Sequence, residues 1–141
     1  MSDDRYREIA RSLQTMGWLQ DALLRQARKR VVEHLRKRGV VTALDAGCGA
    51  GTLSRYLSDA GMSVIAVDRS PAMLELAGRR ASHAQCLQAD LSRLSLSRPV
   101  DGAVVALSLH EMTESQRVEV WRALQRLTRH GGPLAQRRGH P

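Results

Sequence analysis

Leu44-Asp45-Ala46-Gly47-Cys48-Gly49-Ala50-Gly51-Thr52 decides how the rest of the chain is read. The apolar, β-branched run Val40-Val41-Thr42-Ala43-Leu44 before it has the character of a short buried strand. Thr52 to Ala60, stopped by Gly61, reads as a helix. A glycine-rich turn between a first strand and a helix lets a ligand approach the backbone closely. Gly47, Gly49 and Gly51 give the spacing GxGxG, whereas the dinucleotide fingerprint is GxGxxG. Asp45 stands two residues before the first glycine, where a dinucleotide's pyrophosphate would arrive. A carboxylate there repels phosphate and suits a ligand with a cationic amino group and a sulfonium.

The same alternation continues outward. Ser63-Val64-Ile65-Ala66-Val67 is a second buried strand closed by Asp68, the place where an acceptor for ribose hydroxyls belongs. Ser70 as N-cap and Pro71 at the first helical position open a helix to about Arg80. Gln85 to Ala89 is a third strand ending at Asp90, and a fourth centres on Ala103-Val104-Val105. Thr113-Glu114-Ser115-Gln116 fits a capping box for a helix to about His130. Before the first strand, residues 4 to 38 read as helix. Ile9, Leu13 and Met16 form one stripe, Leu19, Leu23, Ala27, Val31 and Leu35 another, and Gly17 marks a break. Strands alternating with helices predict an α/β fold, a Rossmann-like doubly wound parallel sheet covered on both faces.

Composition narrows the function. The 141 residues suffice for one domain with its own core, and 43% apolar with 26% charged residues is a globular balance. No run approaches the length of a spanning helix, and the acidic start Met1-Ser2-Asp3-Asp4 lacks the pattern of a secretory signal. The expectation is a cytoplasmic protein without membrane contact. Cys48 and Cys86 have no metal-ligand spacing around them, so no metal site is expected. The net charge of +8 sits at the ends: residues 1–39 carry ten basic and five acidic side chains, and residues 113–141 six and two. With four aromatics in the chain there is no interleaved stacking surface, which argues against a dedicated nucleic-acid binder.

From about Val40 to Gly132 the chain resembles class I S-adenosylmethionine-dependent methyltransferases of the small-molecule type. Leu44 to Thr52 is similar to the family's first motif, and Val67-Asp68-Arg69-Ser70-Pro71-Ala72-Met73-Leu74-Glu75-Leu76-Ala77 to its second. Gln88-Ala89-Asp90 is similar to the acidic turn after the third strand, and Val100 to His110 to the fourth-strand motif. The resemblance implies S-adenosylmethionine as cofactor and a small-molecule methyl acceptor. It implies cofactor contacts at Asp45, Gly47, Cys48, Gly49, Gly51, Asp68, Arg69, Met73, Asp90, Leu91, Ala106 and Leu107. Asp45 would stabilise the amino group, Asp68 accept both ribose hydroxyls and Asp90 accept from the adenine amino group. Leu91 would offer a backbone N–H to the ring, with Arg69 and Met73 flanking it. Any catalytic base would be His110, with Glu111 next. Plainer roles stand beside these: Asp45 as a helix cap, Asp90 as a strand-end acid, His110 and Glu111 as a solvated loop pair, Cys48 as a small loop residue.

The chain departs from the family after Gly131-Gly132. Where a fifth strand is expected, Pro133-Leu134-Ala135-Gln136-Arg137-Arg138-Gly139-His140-Pro141 has no strand character. The expected organisation is an N-terminal helical lid or cap over 1–39, a cofactor-binding domain over 40–132 and an irregular tail over 133–141. The sheet is expected to be truncated to about four strands in the order 3-2-1-4. Its fourth strand would then be an exposed edge, open to a second copy or a partner. Two further readings follow: a non-catalytic remnant that binds cofactor or a partner, and a fragment of an RNA methyltransferase.

Overall fold

Alternating apolar strands and amphipathic helices assemble as one parallel sheet with helices on both faces. The computed structural model describes residues 22–105 and 112–136. The first stripe (Ile9, Leu13, Met16), the break at Gly17, Ala106, Leu107, His110 and Glu111 lie outside the described residues. Helical residues 22–37 (α1) lead into β1 (Thr42–Ala46), α2 (Thr52–Asp59), β2 (Ser63–Asp68), α3 (Pro71–Arg80) and β3 (Gln85–Gln88). A 3-10 turn (Leu91–Arg93), β4 (Gly102–Val105), α4 (Glu114–Leu127) and β5 (Leu134–Gln136) complete the order. The strands lie in the order β3-β2-β1-β4-β5, every neighbouring pair parallel.

Strand alternation divides the core into two faces. Ala43, Val64 and Val104 pack with Val32 and Leu35 of α1 and Leu53 and Leu57 of α2. Leu44, Ala46, Val67, Ala103 and Val105 point the other way, against Ala123, Leu124 and Leu127 of α4. Residues 22–37 therefore belong to the packing of the sheet. Their buried face is Val32 and Leu35, with Val31 beside them, while Leu23 of the expected stripe is 63% exposed and Ala27 is exposed too. The expected caps form. Ser70 Oγ accepts from the Met73 amide with Pro71 next, and Thr113 and Gln116 make the reciprocal capping box. The last helix stops at Leu127, short of His130, because Thr128 turns extended and bridges Val100.

Two expectations are corrected. Within the tail, Leu134–Gln136 form a strand, β5, with Ala103 opposite Leu134 and Val105 opposite Gln136. The sheet thus has five strands rather than about four. β4 is consequently an inner strand over Ala103–Val105, and its hydrogen-bonding edge is not open there to a second copy or a partner. The segment escaped notice because three residues without a β-branched side chain carry almost no strand propensity. Its place comes from tertiary contacts. The Ala103 amide donates to the Pro133 carbonyl, and Gly132 sits where a Cβ would collide with the Asp101 carbonyl. The first strand also lies later than expected, at Thr42–Ala46, because its pairing with β2 and β4 runs on through Ala46.

At the edge where the strands begin, Asp101 joins β4 to β1. Its Oδ2 accepts from the amides of Val41 at 2.9 Å and Thr42 at 3.0 Å, and its own amide donates to Thr42 Oγ1 at 2.9 Å. Those backbone bonds hold the carboxyl below its ordinary pKa, with Arg129 adding to the effect. Asp101→Ala is expected to lower stability by about 1.5–3 kcal/mol at pH 7, the range for a hydrogen bond to a charged group. A depressed folded pKa gives stability that is full above the unfolded value of 3.8 and fades as pH falls through the folded value. In urea titrations, wild type and variant should therefore differ at pH 7 and converge toward pH 2; a constant gap across that range would contradict this origin.

Candidate cofactor site at the carboxyl edge of the sheet

Because the sheet is parallel, the last residues of β1 through β4 share one edge. Open α/β sheets bind ligands at this edge, where the strand order reverses, here between β1 and β4. The glycine loop is fastened to the end of β2. The amides of Gly47 and Cys48 both donate to the Val67 carbonyl, at 2.8 and 2.9 Å. Asp68 then ties three segments together. Its Oδ2 accepts from the Gly49 amide and its Oδ1 from the Ser70 amide, both at 2.9 Å, while its carbonyl accepts from the Ala89 amide. A carboxylate has about four acceptor sites, so these two bonds leave capacity toward a ligand.

The three glycines differ. Gly47, Gly49 and Gly51 all have positive φ, at 74°, 55° and 84°. A Cβ on Gly49 would meet nothing within 4 Å, so the loop there is open above its backbone. A Cβ on Gly51 would lie 2.7 Å from Ala77 Cα and 2.9 Å from Ala77 Cβ. The structure therefore gives Gly51 a packing role, letting the start of α2 close on α3.

Asp45 ends up inside the fold, 1% exposed, on the face of β1 turned toward α2. It does not cap that helix: Gly51 is the N-cap, without a side-chain bond. Instead Ser54 Oγ donates to Asp45 Oδ2 at 2.7 Å. Sequence reasoning passed over Ser54. The available signal was a serine between Leu53 and Leu57 on the buried face of the helix, opposite a strand acid that needs a polar partner.

The remaining expected residues line the same edge. Arg69 is exposed, and its carbonyl accepts from Gln88 Nε2. Met73, at the start of α3, is 38% exposed. Asp90 takes the plainer role already: its Oδ1 accepts from Ser92 Oγ at 2.9 Å and the Ser92 amide at 3.1 Å, capping the 3-10 turn. The Ser92 hydroxyl, then its amide, hold the Asp90 carboxyl below its ordinary pKa. Leu91 puts its side chain into the core beneath α4. Arg126 of α4 braces this turn, donating to the Leu94 carbonyl at 2.7 Å and to that of Ser92 at 3.4 Å. It too was missed, since one arginine on a helix rich in them carries no mark of such a contact.

Cys48 is buried, and its thiol is pushed up to about 12, first by burial and then by Asp45 and Asp68. It is protonated at neutral pH and is no nucleophile. Among the described residues no group of three or more His, Cys, Asp or Glu could hold a metal ion, and no helix is long and apolar enough to cross a membrane.

A Rossmann-like sheet with an acidic GxGxG turn and a second acid closing β2 defines a domain for a nucleoside-type ligand. Comparison with known proteins gives the class its family. A family model described as a methyltransferase domain matches residues 43–132, and the chain belongs to that family. It is 34% identical over 113 residues to a malonyl-[acyl-carrier protein] O-methyltransferase from Enterobacter lignolyticus (strain SCF1), covering 80% of this chain and 45% of the relative. The chain spans less than half the length of the curated relatives it matches. Among solved structures it resembles a SAM-bound amino pentose methyltransferase from Micromonospora echinaspora, with a TM-score of 0.73 and 20% identity. That match covers 83% of this chain and 51% of the other. It also resembles the magnesium protoporphyrin IX methyltransferase from Synechocystis PCC 6803 with bound SAH. Here the TM-score is 0.66 at 25% identity, covering 74% of this chain and 51% of the other.

Proposed function

We propose that the chain forms the S-adenosylmethionine-binding part of a methyltransferase acting on a small-molecule acceptor. The observation that carries this reading is the tie between Asp68 and the glycine loop, with the buried carboxylate of Asp45 at the loop's base. The donor set fits the cofactor. Two carboxylates at the ends of adjacent strands suit an ammonium and a pair of hydroxyls, and they oppose the phosphates of a dinucleotide. The open space above Gly49 admits a ligand against the backbone.

When bound, S-adenosylmethionine supplies a methyl group activated by its sulfonium. The chain's own residues hold and align. Asp45 stabilises the amino group, and the backbone of Gly47, Cys48 and Gly49 packs against the methionine end. Asp68 accepts the ribose hydroxyls. Asp90 and the Leu91 amide would read the adenine edge, with Arg69 and Met73 flanking the ring and Ala106 and Leu107 as further contacts. Asp90 keeps acceptor capacity for this beyond its bonds to Ser92. Much of the rate enhancement then comes from alignment in a desolvated site. An acceptor that must lose a proton would give it to His110, or to Glu111.

The relatives support a small acceptor group, since their names give a malonyl unit, an amino pentose and a magnesium porphyrin. Calorimetric titration tests the reading. S-adenosylhomocysteine is expected to bind with micromolar affinity and NAD to give no saturable heat. A folded chain that binds NAD, or neither compound, would overturn it.

A further inference from the structure

Asp90 stands two residues past the end of β3, next to Ala89, whose amide donates to the Asp68 carbonyl at 3.2 Å. Both of its bonds from Ser92 go to Oδ1 and lie at the surface, which leaves Oδ2 for a ligand donor. The 3-10 turn that follows, Leu91–Arg93, is too short to be firm by itself. It is held from α4. Leu91 and Leu94 share a buried cluster with Leu124 and Leu127. Arg126 Nη1 donates to the Leu94 carbonyl at 2.7 Å and Nη2 to that of Ser92 at 3.4 Å, the longer bond being the weaker. The arginine has a firm base. The Val100 amide donates to the Leu127 carbonyl at 2.9 Å and the Arg129 amide to the Val100 carbonyl at 2.8 Å, tying the end of α4 to the entry of β4.

We propose that Arg126 is a positioning residue for the adenine end of the site: its guanidinium fixes the Leu91–Arg93 turn, and with it the Asp90 carboxylate and the Leu91 amide. The inference rests on the S-adenosylmethionine reading above and extends it to α4. The connection is short. Arg126 holds the Ser92 carbonyl, and the amide and hydroxyl of the same serine hold Asp90 Oδ1. A guanidinium suits the task, because its planar fork presents several donors at once where an ammonium is a compact point charge. The ribose end of the site hangs elsewhere. Asp68 is set by the Gly49 and Ser70 amides, which Arg126 does not touch.

That separation gives the test. S-adenosylhomocysteine and S-inosylhomocysteine differ only at the base: hypoxanthine has a carbonyl in place of the amino group and a ring N–H where adenine accepts. Asp90 would then face an acceptor and the Leu91 amide a donor, so wild type should prefer the adenine compound by about tenfold or more. In calorimetric titrations, Arg126→Ala is expected to weaken S-adenosylhomocysteine binding about five- to tenfold, since affinity falls with the fraction of chains whose turn stays formed. Affinity for S-inosylhomocysteine should stay within about twofold of wild type, because no group it relies on changes. The preference for adenine shrinks accordingly. Arg126→Lys, with a donor for the Leu94 carbonyl alone, should recover part of the loss. Arg126→Met keeps an apolar stem without a donor and should reproduce the selective loss, so the test survives a poorly folding alanine variant. Equal weakening of both compounds, or of neither, would overturn the positioning role while leaving the cofactor reading in place. A wild-type chain that binds both compounds equally would do the same. Failure of the wild-type chain to bind S-adenosylhomocysteine would overturn the cofactor reading and the positioning role with it.

Discussion

Replacing Asp68 by alanine is expected to lower affinity for S-adenosylhomocysteine by about 100-fold or more. Hydrogen bonds to a charged group contribute about 1.5–3 kcal/mol each, and the carboxylate is proposed to accept two from the ribose. Each 1.4 kcal/mol is a factor of about ten, so even the low end of that range reaches 100-fold. The substitution also releases the glycine loop, because the Gly49 and Ser70 amides lose their acceptors. Asp68→Asn should fall between wild type and alanine. Its carbonyl oxygen can still accept, but its amino group would face one of two backbone donors. Thermal unfolding run beside the titrations separates lost binding from lost folding. Unchanged affinity in a folded Asp68→Ala chain would remove Asp68 from the site.

The second large effect divides the glycine loop into two jobs. Gly51→Ala is expected to destabilise the fold by about 2–5 kcal/mol. A left-handed backbone costs a residue with a Cβ about 1–2 kcal/mol, and overpacking adds about 1–3. Here the new Cβ would lie 2.7 Å from backbone that cannot move independently of α3. Domains of this kind have only about 5–15 kcal/mol in total, so the loss would show plainly in urea. Gly49→Ala shares the positive φ but meets open space, so its stability loss should stay at the backbone cost of about 1–2 kcal/mol. Its Cβ would instead stand where ligand meets backbone, and binding should fall sharply. Equal stability losses at both glycines would contradict the division.

The first four strands and the helices around them were legible because their signals are local. β-branched runs, Ser70-Pro71 and the Thr113–Gln116 box each act within a few residues. What escaped was set by contacts distant in sequence. β5 exists because Ala103 offers its amide to Pro133 and β4 offers an edge, and neither fact is written in Leu134-Ala135-Gln136. α1 turned Val32 inward and left Leu23 outward because the sheet surface, with Ala43 and Val64, chose the face. In the site, the spacing of Asp45, the glycines and Asp68 was readable because strand ends fix it. Ser54 and Arg126 were not, since each acts on a group that only folding brings near. Gly51 was grouped with its neighbours by spacing, yet Ala77, 26 residues further on, explains it.

A nucleoside-bearing sulfonium cofactor is proposed to sit at the carboxyl edge of the sheet, held between Asp45 and Asp68. Backbone amide chemical shifts followed through a titration with S-adenosylhomocysteine test ligand and place at once. Saturable shifts are expected at Gly47, Gly49, Asp68, Ser70 and Leu91, with Val41, Thr42 and Arg129 at the opposite edge unmoved. Shifts confined to the basic residues of α1, or no saturable shift in a folded chain, would contradict it.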